Sequence, residues 1–264
     1  MKFYKALDSV KLKKYSEVDK NQFALTFYSK SGFKSSELFD KELKKKVSNF
    51  FADEKRSSLF LSKELTGLKG DFLVLRDFNK NKSEYKKYAW MKGLFANLDK
   101  YAVENAVIYA DTSHLSKDDN FLFDLAKTAE KASYRYTDTN PNTKKELILK
   151  NVSLAVESAS AAQKKVVELG YNVGSGANTA RNLGDRPANH ATPAYIANAV
   201  KGLAKDIGGF SVEILEEKDM KKLGMGCLLS VSRGSIEPAK LVTMQYKGGK
   251  KGAKPIVLVG KGVT

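Results

Sequence analysis

The chain has 264 residues, of which 42% are hydrophobic and 29% are charged, a normal globular balance that argues against a disordered protein. Its formal net charge is +16, and the excess comes from 40 lysines against 6 arginines. Because the lysines are spread over both halves, and because arginine is the better reader of phosphates and bases, we expect a solvated basic surface and no specific nucleic-acid site.

The first half of the sequence alternates between strand-like and helix-like runs. Its elements are predicted as strands at 22–29, 57–63, 71–78, 105–111 and 145–153, with helices at 35–51, 82–101 and 117–136. The densest lysine cluster, at 41–51, is expected to be the polar side of the first helix. This order favours a compact α/β domain.

The second half begins with a long helical pattern, from about Ala155 to Gly184, which suggests a rod between two domains. Thr192-Pro193 then predicts a helix start, and Gly208-Gly209 predicts its stop. The elements predicted next are strands at 210–216, 240–248 and 255–261, a short helix at 218–226, a strand and turn at 227–235, and a turn at 248–254.

The apolar stretches and the cysteine content of the sequence indicate the cellular compartment in which the protein is expected. No apolar stretch approaches the roughly 18–20 residues that span a bilayer, and residues 1–8 lack the apolar core of a signal peptide. We therefore expect a soluble, cytoplasmic protein with no membrane partner. Cys227 is the sole cysteine, which fits a reducing compartment, and its apolar neighbours predict a small buried residue.

The sequence lacks the motifs of several common enzyme classes. His114 and His190 are far apart in sequence and no cysteines pair, so no zinc pattern exists and we expect each histidine in a loop or at a helix cap. Neither a G-x-S-x-G elbow nor a P-loop occurs. "GSGANTA" at 174–180 lacks the third glycine of a dinucleotide fingerprint and does not directly follow a strand, so no cofactor-binding residue is assigned.

Lys261 stands between two glycines, after the apolar run 256–260. That run is β-branched and does not alternate, so it predicts a fully buried strand of a parallel sheet. Open α/β sheets bind ligands at the carboxyl ends of such strands. The local sequence leaves two interpretations open: a lysine that leaves a strand for solvent, or a functional lysine whose flanking glycines let other groups approach.

Three segments together resemble a known family. "ARNLGDRPANHATPAYIA" (180–197), "GMGCLLSVSRGSIEPAKLVTMQYKG" (224–248) and "PIVLVGKGVT" (255–264), in that order and spacing, resemble the leucyl aminopeptidase family of two-metal exopeptidases. "YRYTDT" (134–139), a strand and the long helix lie where this family joins its N-terminal domain to its catalytic domain. The N-terminal half matches more by element order than by residue identity.

The resemblance implies an architecture and an activity. It implies an N-terminal macro-like α/β domain (1–153), a connecting helix (154–184) and the first part of an α/β catalytic domain with a central mixed sheet (185–264). It implies a homohexameric metalloaminopeptidase that releases N-terminal amino acids from peptide substrates with two divalent ions, Mn or Zn. In this family the lysine of "VGKG" binds metal, which is Lys261 here.

The resemblance also implies that this chain is incomplete as an enzyme. The family's other metal ligands, its catalytic lysine and its catalytic arginine would lie beyond Thr264, so no catalytic residue is assigned and the chain is expected to be inactive alone. The alternative is a non-catalytic truncated product or binding module, with weak, salt-sensitive nucleic-acid binding through the basic surface. An ADP-ribose-type ligand is disfavoured, because no Gly-rich phosphate loop follows a strand in residues 1–150.

Overall fold

The computed structural model describes residues 4–18, 22–28, 41–53, 58–62, 71–76, 83–109, 118–139, 148–156 and 158–262. The chain divides into two compact units. The sheet unit comprises residues 5–135 and 143–178, and the hairpin unit comprises residues 1–4, 136–142 and 179–264.

A six-stranded sheet organises the sheet unit. Its strands are β1 (Ser9–Lys14), β2 (Phe23–Tyr28), β3 (Ser58–Leu61), β4 (Phe72–Arg76), β5 (Asn105–Tyr109) and β6 (Asn151–Val156). Their spatial order is β1-β6-β5-β2-β4-β3, and neighbours are parallel except the antiparallel pair β3 and β4. The helices are α1 (Lys41–Ala52), α2 (Glu84–Lys100), α3 (Asp119–Ala132) and α4 (Ala161–Gly184), the last of which ends in the hairpin unit.

The central strand β5 is buried on both faces of the sheet. Ala106 and Ile108 belong to the larger core cluster, which includes apolar residues of α2 and α3. Val107 and Tyr109 belong to a second cluster, with the buried residues of α1. Burial on both faces explains why the sequence of this strand shows no alternation between apolar and polar residues.

The lysine cluster of α1 lies on the polar side of the helix, as predicted. Leu43, Val47, Phe50 and Phe51 are buried, which places them on one stripe at helical spacing. Lys41, Lys45 and Lys46 are exposed, and Lys46 pairs with Glu42 at 3.2 Å.

A buried carboxylate fixes the segment that leads into β1. Glu130 of α3 is fully buried and accepts hydrogen bonds from the backbone N–H groups of Ala6 at 2.6 Å and Leu7 at 2.9 Å. The side-chain amide of Asn178 also donates to Glu130, at 3.2 Å, and the Tyr171 hydroxyl donates to the Leu7 carbonyl at 2.7 Å. Burial raises the pKa of Glu130 above its ordinary value, although the hydrogen bonds that Glu130 accepts from Ala6, Leu7 and Asn178 act in the other direction.

The hairpin unit contains α5 (Pro193–Ala204), β7 (Phe210–Glu216), α6 (Glu217–Lys222), α7 (Gly226–Ser232) and β8 (Lys240–Tyr246). β7 and β8 form an antiparallel pair whose register runs from Phe210 opposite Tyr246 to Glu216 opposite Lys240. The predicted start of α5 is confirmed, because the Thr192 hydroxyl accepts the Tyr195 N–H at 3.3 Å and Pro193 occupies the first turn.

Gly224 ends α6 through its backbone conformation. Its φ is +70°, a left-handed value that favours glycine. The Gly224 N–H donates to the Lys221 carbonyl at 3.1 Å, and the Met225 N–H donates to the Met220 carbonyl at 3.0 Å. These two bonds form a Schellman motif, so the glycine satisfies carbonyls that the helix end would otherwise leave without donors.

The α/β fold class is confirmed, and most predicted elements agree with the observed ones to within a few residues. The predicted helix at 35–51 is observed from Lys41, and residues 35–40 lie outside the described part of the chain. The prediction at 145–153 is shifted, since the strand runs over 151–156 and residues 155–156 therefore do not begin the long helix. β1 was not predicted, because lysines fill half of this edge strand.

Three predictions in the hairpin unit are wrong. Residues 226–232 form the helix α7 instead of a strand, because a short apolar run does not distinguish the two by periodicity. Cys227 is exposed, since α7 has no buried residue. The predicted buried strand at 255–261 has no regular secondary structure, and no strand of the described residues pairs with it. Within the same described ranges, no helix is long and apolar enough to cross a membrane.

Candidate functional site

Lys261 lies in an extended, exposed segment that follows β8. The turn predicted at 248–254 is confirmed, with the Ala253 N–H donating to the Lys250 carbonyl at 3.1 Å and φ of Gly252 at +83°. The chain then continues without regular structure, and Ile256, Leu258 and Val259 are each more than nine-tenths exposed. Lys261 is also exposed. The predicted ligand therefore lies on an exposed segment without regular secondary structure.

The described residues do not by themselves fit a metal centre. Two divalent ions need several oxygen, nitrogen or sulfur donors at once, and Lys261 offers one amine. Across the ranges that the structure describes, no group of three or more His, Cys, Asp or Glu side chains comes together. The titratable side chains between β8 and Lys261 are lysines, whose charge would repel a cation. We therefore derive no reaction step through a metal from these residues.

Two of the motif segments meet in the hairpin unit. Arg186, from "RPAN", forms an ion pair with Asp138, from "YRYTDT", and its guanidinium lies 4.7 Å from the ring centroid of Tyr195 on α5. The Arg186 side chain is 13% exposed, and its Nε is buried with no hydrogen-bond acceptor among the described residues. Both segments are visible in the sequence, but their contact is not. Many oppositely charged residues lie at such distances in the chain, so charge alone does not identify which two form a pair.

The structure describes two of the three remaining sequence motifs, His190 and residues 174–180. His190 is exposed in the turn before α5, where its backbone N–H donates to the Pro187 carbonyl at 2.9 Å. Its prediction as a loop residue is therefore confirmed. His114 lies outside the described residues. Residues 174–180 are inside α4, which confirms that "GSGANTA" is not a phosphate-binding loop.

Residues 178–264 match the model of the cytosol aminopeptidase family, catalytic domain. A probable cytosol aminopeptidase of Aromatoleum aromaticum is 34% identical over 221 residues, which are 80% of this chain and 44% of that protein. One of Nitrosococcus oceani is 43% identical over 143 residues, 53% of this chain and 28% of that protein. The chain thus spans less than half the length of these curated relatives.

Solved structures share the fold at low sequence identity. A tomato leucine aminopeptidase mutant has a TM-score of 0.69 at 16% identity, covering 92% of this chain and 52% of its own. The bottromycin maturation enzyme BotP in complex with Mn has a TM-score of 0.60 at 17% identity, covering 86% of this chain and 45% of its own. The similarity therefore extends over both units of the chain.

Proposed function

We propose, on the premise that this chain belongs to the cytosol aminopeptidase family, that it is part of a metal-dependent enzyme that releases N-terminal amino acids from peptides. The observation that carries the proposal is the match of residues 178–264 to the family's catalytic domain. The proposed organisation is an N-terminal domain at 1–153, a connecting helix at 154–184 and the first part of the catalytic domain at 185–264.

Lys261 is the one metal ligand that the proposal assigns within this chain. The first support for this assignment is that the "VGKG" segment falls inside the matched residues. The second is that Lys261 lies in an extended, exposed segment, which donor atoms from other parts of a protein can reach. The described residues hold no acidic or histidine cluster, so the proposal requires that the other ligands come from elsewhere in the complete enzyme.

The finer features of the proposed enzyme are two divalent ions per site, Mn or Zn, a homohexameric assembly and a cytoplasmic location. A bound Mn in the similar structure of BotP supports a metal cofactor. The names of the curated relatives support the location. Metal content by mass spectrometry and molar mass by light scattering of the complete enzyme test the first two features.

The decisive test compares two Lys261 variants in a chain that carries the whole catalytic domain. Lys261→Ala removes the nitrogen donor, and Lys261→Arg keeps the positive charge on a group that does not deprotonate in proteins. We expect both to lower kcat for leucine p-nitroanilide by at least about 100-fold, because losing a residue that only orients a metal ligand already costs about 10- to 100-fold. Each variant is also expected to lose about one metal ion per site.

Matched controls keep the Lys261 test specific. Lys254→Arg changes an exposed lysine of the same region and should leave turnover and metal content unchanged. The 264-residue chain itself should hydrolyse no substrate above a metal-only control. Near-normal turnover of Lys261→Arg with two metals bound would remove the assignment, and hydrolysis by the 264-residue chain would show that the described residues suffice.

A second candidate function is weak binding of nucleic acid by a non-catalytic product. It is favoured by the net charge of +16 and by exposed lysines on β1 and α1, such as Lys11 and Lys45. We expect any binding to DNA to be independent of sequence and to disappear between about 50 and 200 mM salt, because counterion release dominates it. Fluorescence anisotropy with two unrelated duplexes tests this, and nanomolar, site-selective binding at physiological salt would contradict it.

A further inference from the structure

An apolar segment of the hairpin unit, residues 256–260, lies open to solvent. It contains three β-branched residues and one leucine, carries no charge and is exposed at every position. Uncharged segments with high β propensity add readily to an unpaired strand edge. The segment therefore has the composition of a strand, but it pairs with no strand of the described residues.

The outer edge of β8 is such an unpaired edge. β7 and β8 form a two-stranded sheet, and within the described ranges no third strand adjoins it. Gly209 and Lys247 continue the register of this sheet, and the Lys247 N–H donates to the Gly209 carbonyl at 2.9 Å. Because bonded and non-bonded pairs alternate in an antiparallel ladder, the N–H and C=O groups of Val242, Met244 and Tyr246 point away from β7. A third strand would bind to these groups.

The open edge and the apolar segment complement each other. A two-stranded sheet is marginally stable, and a third strand stabilises it. After β8 the chain turns at 250–253, and its own segment then continues without pairing with that edge. We propose that two copies of this chain dimerise by exchanging their apolar segments, so that residues 256–260 of each copy pair with the outer edge of β8 in the other. The proposed enzymatic function is not a premise, because neither metal nor peptide substrate takes part.

The exchange buries enough surface for a specific dimer. A five-residue strand is about 17 Å long and the seven residues of β8 span about 24 Å, so the segment fits along the edge. Each copy contributes four aliphatic side chains, which expose on the order of 100 Å² each. With the β8 surface that they cover, the two segments exceed the roughly 1,000 Å² that a specific interface needs. Reciprocal exchange has two-fold symmetry, so assembly stops at two copies.

Charge determines how salt affects the dimer. The chain carries a net charge of +16, and exposed lysines follow β8 and flank the segment, at 247, 250, 251, 254 and 261. Two copies therefore repel each other at low ionic strength, and salt screens this repulsion. We expect dimerisation to become tighter as salt rises, which is opposite to the salt dependence of nucleic-acid binding.

The test measures the molar mass of the 264-residue chain by light scattering between about 1 and 200 µM. In about 0.5 M NaCl we expect a monomer–dimer equilibrium with a Kd of about 1–100 µM, typical of an interface at the small end of the specific range. In about 0.1 M NaCl the dimer should be at least about threefold weaker. Amide hydrogen exchange of Val242, Met244 and Tyr246 should slow at least about fivefold from the lowest to the highest concentration.

A matched pair of variants separates strand exchange from general apolar adhesion. Leu258→Lys places a charge in the middle of the segment and should weaken dimerisation at least about tenfold. Ile236→Lys changes an exposed aliphatic residue that lies outside both the segment and β8, and should change dimerisation less than about twofold. Both side chains are more than nine-tenths exposed, so both variants are expected to fold, as circular dichroism will show.

Several results would overturn the proposal. A monomeric mass at every concentration, or a mass that rises beyond two copies, would exclude a closed dimer. Equal losses in the two variants would mean that the apolar surface adheres without strand pairing. A dimer in which the three β8 amides exchange as fast as in the monomer would exclude the edge. Equal protection of these amides at all concentrations would mean that the segment pairs within its own chain.

Discussion

The two units bury their apolar residues to different extents. In the sheet unit such residues pack into two clusters on the two faces of a six-stranded sheet, and Ile108, Leu122 and Leu154 are completely buried. In the hairpin unit α7 has no buried residue, and Ile236 and Ile256 are 98% and 93% exposed. The difference teaches that an apolar run is buried only where neighbouring elements cover it, whatever its own composition.

The largest expected contrast comes from the same substitution made in both units. Ile108→Ala should lower the free energy of unfolding by about 2–5 kcal/mol, because it leaves a cavity in a close-packed core. Ile236→Ala should change it by less than about 0.5 kcal/mol, because an exposed side chain buries nothing. Urea unfolding followed by Trp90 fluorescence and by far-UV circular dichroism measures both.

Trp90 makes this measurement specific to one unit. It is the sole tryptophan and packs against the larger core cluster, so its fluorescence reports the sheet unit. If Ile108→Ala left the Trp90 transition unchanged, the core of the sheet unit would not be packed as described. A loss of more than about 1 kcal/mol in Ile236→Ala would show that this residue is covered in solution.

Two glycines of α4 sharpen the comparison within the sheet unit. A Cβ at Gly170 would lie 2.4 Å from the backbone oxygen of Phe123 on α3, so Gly170→Ala should destabilise by about 1–3 kcal/mol through forced separation of the helices. A Cβ at Gly176 would meet nothing within 4 Å, so Gly176→Ala should stabilise by about 0.5–1 kcal/mol through helix propensity. A lower melting temperature for Gly170→Ala and a higher one for Gly176→Ala would confirm the packing. Shifts of the two melting temperatures in the same direction would contradict it.

A half-buried ion-pair cluster gives the sheet unit a pH dependence. Burial acts to raise the pKa of Asp124, but hydrogen bonds from Lys127 at 2.7 Å and Lys87 at 2.8 Å outweigh it and hold that pKa below its ordinary value of 3.8. The cluster is therefore stabilising above pH 3.8, and this contribution is lost as the pH falls through the lowered pKa.

Asp124→Asn tests that pH dependence. At pH 7 the variant should lose about 1–2 kcal/mol, toward the low end of the about 1.5–3 kcal/mol usual for hydrogen bonds to a charged group, because these side chains are partly exposed. The loss should shrink as the medium is acidified below pH 3.8. Glu168→Gln, at an exposed position of α4, is the control and should show no such trend. A loss in Asp124→Asn that does not vary with pH would mean that the carboxylate charge is not responsible.

The smallest expected effect concerns Cys227 in the hairpin unit. Cys227→Ser should change stability by less than about 0.5 kcal/mol, because an exposed side chain makes no core contact. A chromogenic disulfide reagent should titrate one thiol per chain without denaturant. A thiol that reacts only in urea would show that α7 is covered in solution.

Local signals predicted one helix correctly in each unit. Thr192-Pro193 identified the start of α5, and the lysine-rich run at 41–51 was assigned to the polar side of a helix because Leu43 and Val47 recur at helical spacing. The segments carrying the family resemblance identified the matched region. By contrast, the contact of Arg186 with Asp138 joins residues far apart in sequence, where no local pattern indicates the pairing.

The sequence by itself determined the α/β fold class and several helix ends. These depend on side-chain periodicity, capping groups and backbone preferences that act within a few residues. Only the tertiary structure decided which apolar runs are buried. Residues 105–109 are a central strand because β2 and β6 pair with them on both sides, whereas the equally apolar run at 256–260 has no pairing strand among the described residues and stays exposed. The physical reason is that a strand satisfies its backbone and buries its side chains only through neighbours, which its own sequence does not specify.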